Sequence, residues 1–187
     1  MNITIKRLSE FKVAQVKAVS DALKNAIHTL ASTWVCQALQ QPQFWGAETL
    51  KSMAERDALG IESWTWVALV GTKPAGLCFV HQEGEDRRLA LFLVDTRYTQ
   101  AEQWEIADAI ALRGIADVLA DKCPAKRNMI GWFPEKGWAA DYARRCGFKS
   151  ERVGTYMGVI PETNPILLWT TDMRQLQANI EAMSWPK

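Results

Sequence analysis

KRNMIGWFPEKGWAADYARRCGFKSERVGTYMGVI, residues Lys126 to Ile160, is the stretch whose reading decides the fold. Asn128–Phe133 is apolar and aromatic, as a buried strand is. Glu135–Cys146 carries its apolar residues at helical spacing, and Gly147 stands where a left-handed residue closes a helix. Arg152–Ile160 is extended again, so the segment reads strand, helix, strand.

Upstream of it, Ala101–Ala120 is the most regular helix of the chain, with Ala107, Ile110, Ala111, Gly114 and Val118 on one stripe and Cys123-Pro124 as its stop. Leu89–Val94 is an apolar strand preceded by the turn Gly84-Glu85-Asp86. Trp64–Val70 and Ala75–Gln82 form a hairpin about Gly71–Pro74. Ile3–Leu8 is a short strand, and Ser9 is the expected N-cap of a helix over residues 10–31 through Val16, Val19, Leu23, Ile27 and Leu30. Gln40–Gln43 breaks the chain before a second helix, Glu48–Leu59, which Gly60 ends. Downstream, after Pro161 and Pro165, Thr171 or Asp172 caps a short helix with Met173, Leu176, Ile180 and Met183 at 3-4-3 spacing. The expected division is a domain over 1–160 and a tail over 161–187, whose amphipathic helix either meets a protein partner or folds back on the domain.

A chain of 187 residues, 48% hydrophobic and 23% charged, suits one core of full size. No apolar run approaches the roughly 20 residues that span a bilayer, and the N-terminus lacks the pattern of a secretory signal, so a cytoplasmic location is expected. The net charge of +1 gives no general attraction to nucleic acid. Lys122–Arg152 does hold eight Lys/Arg against three acids, and a phosphate contact through Lys126, Arg127, Lys136, Arg144, Arg145 and Lys149 is a minor alternative. Cys36, Cys78, Cys123 and Cys146 are too scattered for metal-binding pairs and read as free thiols; no metal is expected. Nine tryptophans exceed ordinary usage. Trp64, Trp66 and Trp132 fall in strands and read as core, whereas Trp34, Trp45, Trp138, Trp169 and Trp185 are candidates for a Trp-rich partner surface.

The order of these elements, with Ala139 followed eight and nine residues later by Gly147-Phe148, resembles the GNAT (Gcn5-related N-acetyltransferase-like) fold. The resemblance implies an α/β protein with a mixed, mostly antiparallel central sheet flanked by helices. It implies an acyl-CoA cleft between the fourth and fifth strands, backbone contacts from the fourth strand at Leu93 and Val94, and a phosphate loop before the next helix. That family's loop is patterned Arg/Gln-x-x-Gly-x-Gly/Ala, where glycine lets free backbone N–H groups approach a pyrophosphate. Here the glycines fall on Glu102 and Trp104, Thr99 and Glu102 form a T-x-x-E capping box, and Gln100 and Gln103 are the remaining polar pair. The family's general acid, a Tyr four residues before the Gly-Phe pair, falls on Ala143, with Tyr142 one residue earlier as the substitute candidate. His81 and Glu83, at the end of a central strand, are the candidates for a general base.

Two functions follow. One is a GNAT-fold protein with a degenerate acyl-CoA site, a pseudoenzyme that binds a partner and takes no cofactor; a weaker likeness to GNAT-like proteins of tailed bacteriophages would place it in a virion. The other is an acyltransferase that uses acetyl-CoA to modify an amine of a small molecule, peptide or modified base.

Overall fold

Every residue of Ser63–Leu69 is buried, so this strand is covered on both faces and lies inside a sheet with helices above and below. In the computed structural model, which describes residues 1–12, 15–19, 21–22, 54–56, 58–59, 63–83, 86–120, 128–151 and 166–183, seven strands form one sheet. They are β1 (Ile3–Arg7), β2 (Ser63–Val70), β3 (Lys73–Glu83), β4 (Asp86–Val94), β5 (Asn128–Pro134), β6 (Lys149–Glu151) and β7 (Ile166–Asp172), in the order β1-β2-β3-β4-β5-β7-β6. Only β4 and β5 pair in parallel; every other neighbouring pair is antiparallel.

Alternation along the strands sorts the core into two layers. Trp64, Trp66, Cys78 and Val80 face three helices, α1 (Gln100–Ala120), α2 (Trp138–Arg145) and α3 (Met173–Met183). Val67, Leu69, Leu77 and Leu93 face the opposite way, against Leu8, Val16 and Val19. Gly114 sets the spacing of the first layer, since a Cβ there would stand 3.3 Å from the Trp66 ring. Trp66 is fixed at its other end by an indole N–H bond of 2.7 Å to Asp117 on α1.

Three features differ from the sequence reading. Ser9 does not cap the first helix: Leu8–Glu10 is a 3-10 turn, and residues 15–19 and 21–22 are helical after Lys12, whose carbonyl accepts from the Gln15 and Val16 amides. The helix expected over Glu135–Cys146 begins only at Trp138, because Gly137, at φ +114, holds a backbone conformation outside any helix. Most consequentially, Ile166–Asp172, expected as tail, is a strand inside the sheet, between β5 and β6, with Trp169 opposite Gly131 on one side and Ser150 on the other.

Asp172 caps α3, accepting from the amides of Arg174 at 2.9 Å and Gln175 at 3.1 Å. Met173, Leu176 and Ile180 are buried, Met183 packs against the same core, and each fully buried side chain contributes roughly 1.5–3 kcal/mol relative to exposure. The amphipathic stripe is therefore spent within the molecule and offers no partner surface. Trp169, a candidate for such a surface, is also fully buried, since its side chain belongs to the layer packed against the helices. The strand expected over Arg152–Ile160, the helix over Glu48–Leu59 apart from residues 54–56 and 58–59, and Trp34, Trp45, Trp185, Lys126, Arg127, Cys36 and Cys123 lie outside the described residues.

Candidate active site

The parallel pairing of β4 with β5 covers only Arg87–Leu89 against Met129–Gly131. A register shift explains where it stops: Phe79 pairs with Leu91 and Val80 with Leu89, so Ala90 is an extra residue, a β-bulge that bends the strand. From Ala90 to Val94 the β5-facing edge of β4 has no strand partner among the described residues, and the sheet splits into a V. Leu93 and Val94 lie on this free edge. Their side chains are buried, one in each layer, so what they offer a ligand is backbone.

Helix α1 rises from the end of β4 through the loop Asp95–Thr99, and α2 from the end of β5, so both helix N-termini flank the split. The loop is tightly held. The Asp95 amide donates to the Ala75 carbonyl at 2.8 Å, and the buried Asp95 carboxylate accepts from the Arg97 amide at 2.9 Å and from its guanidinium. Burial alone would raise the Asp95 carboxyl, but the hydrogen bonds and charge of Arg97 together hold it below its ordinary value.

The capping box is formed in full. Glu102 Oε2 accepts from the Thr99 amide at 2.9 Å and from the Thr99 hydroxyl at 2.8 Å, while the Glu102 amide donates to Thr99 Oγ1 at 3.4 Å. These bonds hold the Glu102 carboxyl below its ordinary value. Gln103 Nε2 donates to the Tyr98 carbonyl at 2.7 Å, which takes it out of any polar pair with the exposed Gln100. The box engages the Thr99 and Glu102 amides, and its carboxylate at the start of α1 opposes an anion there.

Trp104 does not stand in an open glycine space. Its half-buried ring carries the Arg145 guanidinium at 4.9 Å, and Arg145 reaches Asp108 at 3.2 Å. Asp108 also accepts from the Tyr142 hydroxyl at 2.9 Å. Burial raises the Asp108 carboxyl above its ordinary value, against the opposing effects of Tyr142 and Arg145. Burial, with Cys146 and Asp108 nearby, pushes the Tyr142 phenol well above its own. The structure thus gives Tyr142 a place in the core: its ring packs against Trp138 and Phe92, each at 5.4 Å, which also contact one another at 6.2 Å, and its proton is engaged by a carboxylate that ties α1 to α2. The T-x-x-E spacing made the box legible in sequence, whereas Asp108, Arg145 and Phe92 carry no motif and come together only in the fold.

His81 lies on the other face of the sheet, stacked on Phe79 at 5.8 Å. Its Nδ1 is 3.1 Å from the Gln82 carbonyl; the tautomer that donates this bond leaves Nε2 with a free lone pair. His81 pairs with Arg88, one residue before Leu89, so it stands beside the apex of the split and on the face opposite Tyr142. Glu83 pairs with Asp86 through its backbone; its side chain lies outside the described part. Among the described residues no group of three or more His, Cys, Asp or Glu side chains is placed to hold a metal, and no helix is long and apolar enough to cross a membrane.

The seven-strand order, the single parallel pair and the bulge at its end define the GNAT fold. Solved structures agree. The chain is similar to the PaiA N-acetyltransferase of Thermoplasma acidophilum in complex with coenzyme A (12% identity, 92% of this chain and 99% of that one, TM-score 0.64). It is similar also to an N-acetyltransferase of Staphylococcus aureus Mu50 (14%, 92% and 99%, TM-score 0.66) and to the ribosomal-protein-alanine N-acetyltransferase of Brucella melitensis (15%, 90% and 99%, TM-score 0.64). At these identities the likeness is one of fold. It extends past residue 160, because residues 1–160 alone are too few to give such coverage. The bacteriophage likeness finds no support among these neighbours. No protein-family model matches the sequence, and no curated protein matches it either.

Proposed function

We propose that the protein is an acyl-CoA-dependent N-acyltransferase acting on an amine of a small molecule, peptide or modified base. The observation that carries this reading is the V between β4 and β5, opened by the bulge at Ala90 and lined on one side by unpartnered strand edge. An extended pantetheine arm can add to that edge as a strand would. Neighbours with the same fold are N-acetyltransferases, one of them in complex with coenzyme A.

The chain's own residues then divide the work. The free edge at Leu93 and Val94 holds the arm, and the V places the thioester carbonyl where an amine can reach it from the His81 face. The amine nitrogen attacks the thioester carbonyl carbon, the C–S bond breaks, and the thiolate leaves with the electron pair. His81 Nε2, with Nδ1 held on the Gln82 carbonyl, takes the proton that the amine loses. Ala143 provides no acid for the thiolate, so the thiol is protonated by solvent or by the protonated His81.

A second reading, a binding scaffold without transfer chemistry, is favoured by one observation: the Thr99–Glu102 box at the start of α1, which sets a carboxylate against any incoming pyrophosphate. Thermal unfolding with millimolar coenzyme A or acetyl-CoA separates the two, since a ligand that binds only the folded state raises the midpoint. A concentration-dependent rise supports the acyltransferase; no shift leaves the scaffold.

A further inference from the structure

Beneath the split lies a cavity of about 40 Å³. Leu89 and Phe92, on either side of the bulge, form one wall; Ala111 and Gly114 of α1 and Trp138 and Ala143 of α2 form the others. Its surroundings are almost wholly apolar, so it has too few polar partners to hold water well. It is kept open at Ala143, which stands where the resemblance expects a tyrosine and brings only a methyl group to the wall. The indole N–H of Trp138, a residue of its wall, is buried and has no acceptor among the described residues, a deficiency that native interiors seldom leave uncorrected.

We propose that this cavity receives the hydrocarbon end of a short acyl group, three to four carbons long, while Trp138 Nε1 donates to the thioester carbonyl oxygen. The inference rests on the acyltransferase reading and names its acyl substrate: propionyl- or butyryl-CoA in preference to acetyl-CoA. The size follows from the volume. An apolar cavity of roughly 150 Å³ takes a benzene ring, so one of 40 Å³ takes about two carbons beyond those of acetyl. A thioester in the V lies directly above it, because the same two residues, Leu89 and Phe92, border both. The carbonyl oxygen is the group that the Trp138 N–H lacks.

The test is a calorimetric titration of the purified protein with coenzyme A, acetyl-CoA, propionyl-CoA, butyryl-CoA and hexanoyl-CoA. The expected order is affinity rising roughly threefold to fourfold for each carbon from acetyl to butyryl, then falling for hexanoyl. Ala143→Leu fills the cavity and should abolish the gain from propionyl and butyryl while leaving coenzyme A and acetyl-CoA bound as before. Should that variant misfold, Ala111→Val fills the same space from α1. Trp138→Phe should lower the affinity of every thioester toward that of free coenzyme A. Acetyl-CoA binding as tightly as butyryl-CoA overturns the proposal and spares the acyltransferase reading. Failure of all five compounds to bind removes both.

Discussion

The Asn179 side-chain nitrogen donates at 2.9 Å to the carbonyl oxygen of Cys146, so the last helix closes the end of the one before it. Cys146 ends α2 and Gly147, at φ +84, turns the chain away. A Cβ on Gly147 would stand 2.2 Å from Asn179 Nδ2. Gly147→Ala therefore meets two penalties at once: the left-handed backbone, at roughly 1–2 kcal/mol, and the loss of the Asn179 bond. Asn179→Ala meets only the second and is expected to cost about 1 kcal/mol. Denaturant unfolding of both variants checks the difference, and equal losses would argue that Asn179 is not the obstacle.

Truncation after Pro165 removes β7, the strand that joins β5 to β6 in the sheet, and with it α3 and its buried Met173, Leu176 and Ile180. The expected result is a chain that is insoluble or lacks cooperative unfolding. A truncated protein with native circular dichroism would show that residues 166–183 are dispensable.

The reason the sequence suggested a tail there is physical. Pro161 and Pro165 are strong breakers, and ILLWTTD reads equally as strand or loop until its neighbours are known. A strand inserted between two earlier ones is specified by register partners such as Gly131 and Ser150, far apart in sequence, and no local pattern reports them. Local signals were read well: the helix over Ala101–Ala120, the Thr99–Glu102 box, the Gly147 turn and the β2–β3 hairpin each depend on residues a few positions apart. The candidate site was legible only as far as its motif. His81 and Tyr142 are drawn to opposite faces of the sheet by strand alternation and helix phase, and the cavity is bordered by residues distant in sequence, among them the small Ala143.

Tyr142→Phe leaves Asp108 without its 2.9 Å donor, a buried carboxylate short of one bond. Stability is expected to fall by about 1–3 kcal/mol, with any acyl transfer falling only in proportion to the folded fraction. A drop in kcat at full folding would instead give the phenol a role in the chemistry.

Asp108 also predicts a pH dependence. Because burial raises its carboxyl above the ordinary 3.8, the folded protein takes up this proton before the unfolded chain does. Its contribution is full below 3.8 and is lost as pH rises through the folded-state value. The stability of the native protein relative to Asp108→Asn should therefore improve as pH falls toward that range. Urea unfolding of the pair from pH 7 downward measures it; a difference that stays flat or moves the other way contradicts the assignment.

Glu102 acts with the opposite sign. Held below its ordinary 4.5 by Thr99, it supports α1 at pH above 4.5, and that support is lost as pH falls through the folded-state value. Thr99→Ala removes the cap and is expected to cost about 0.5–2 kcal/mol. Glu102→Gln removes the charge facing an incoming pyrophosphate, so the midpoint rise produced by coenzyme A should grow; a smaller rise would mean that the carboxylate does not oppose the cofactor.

The place of β7 also bears on how the chain is made. During synthesis β5 and β6 leave the ribosome well before residues 166–172, and until then the nascent polypeptide carries two open strand edges, the kind of surface on which chains stick to one another. The vulnerable interval ends only when residues 166–172 have emerged, so a chain broken off before them would aggregate rather than fold.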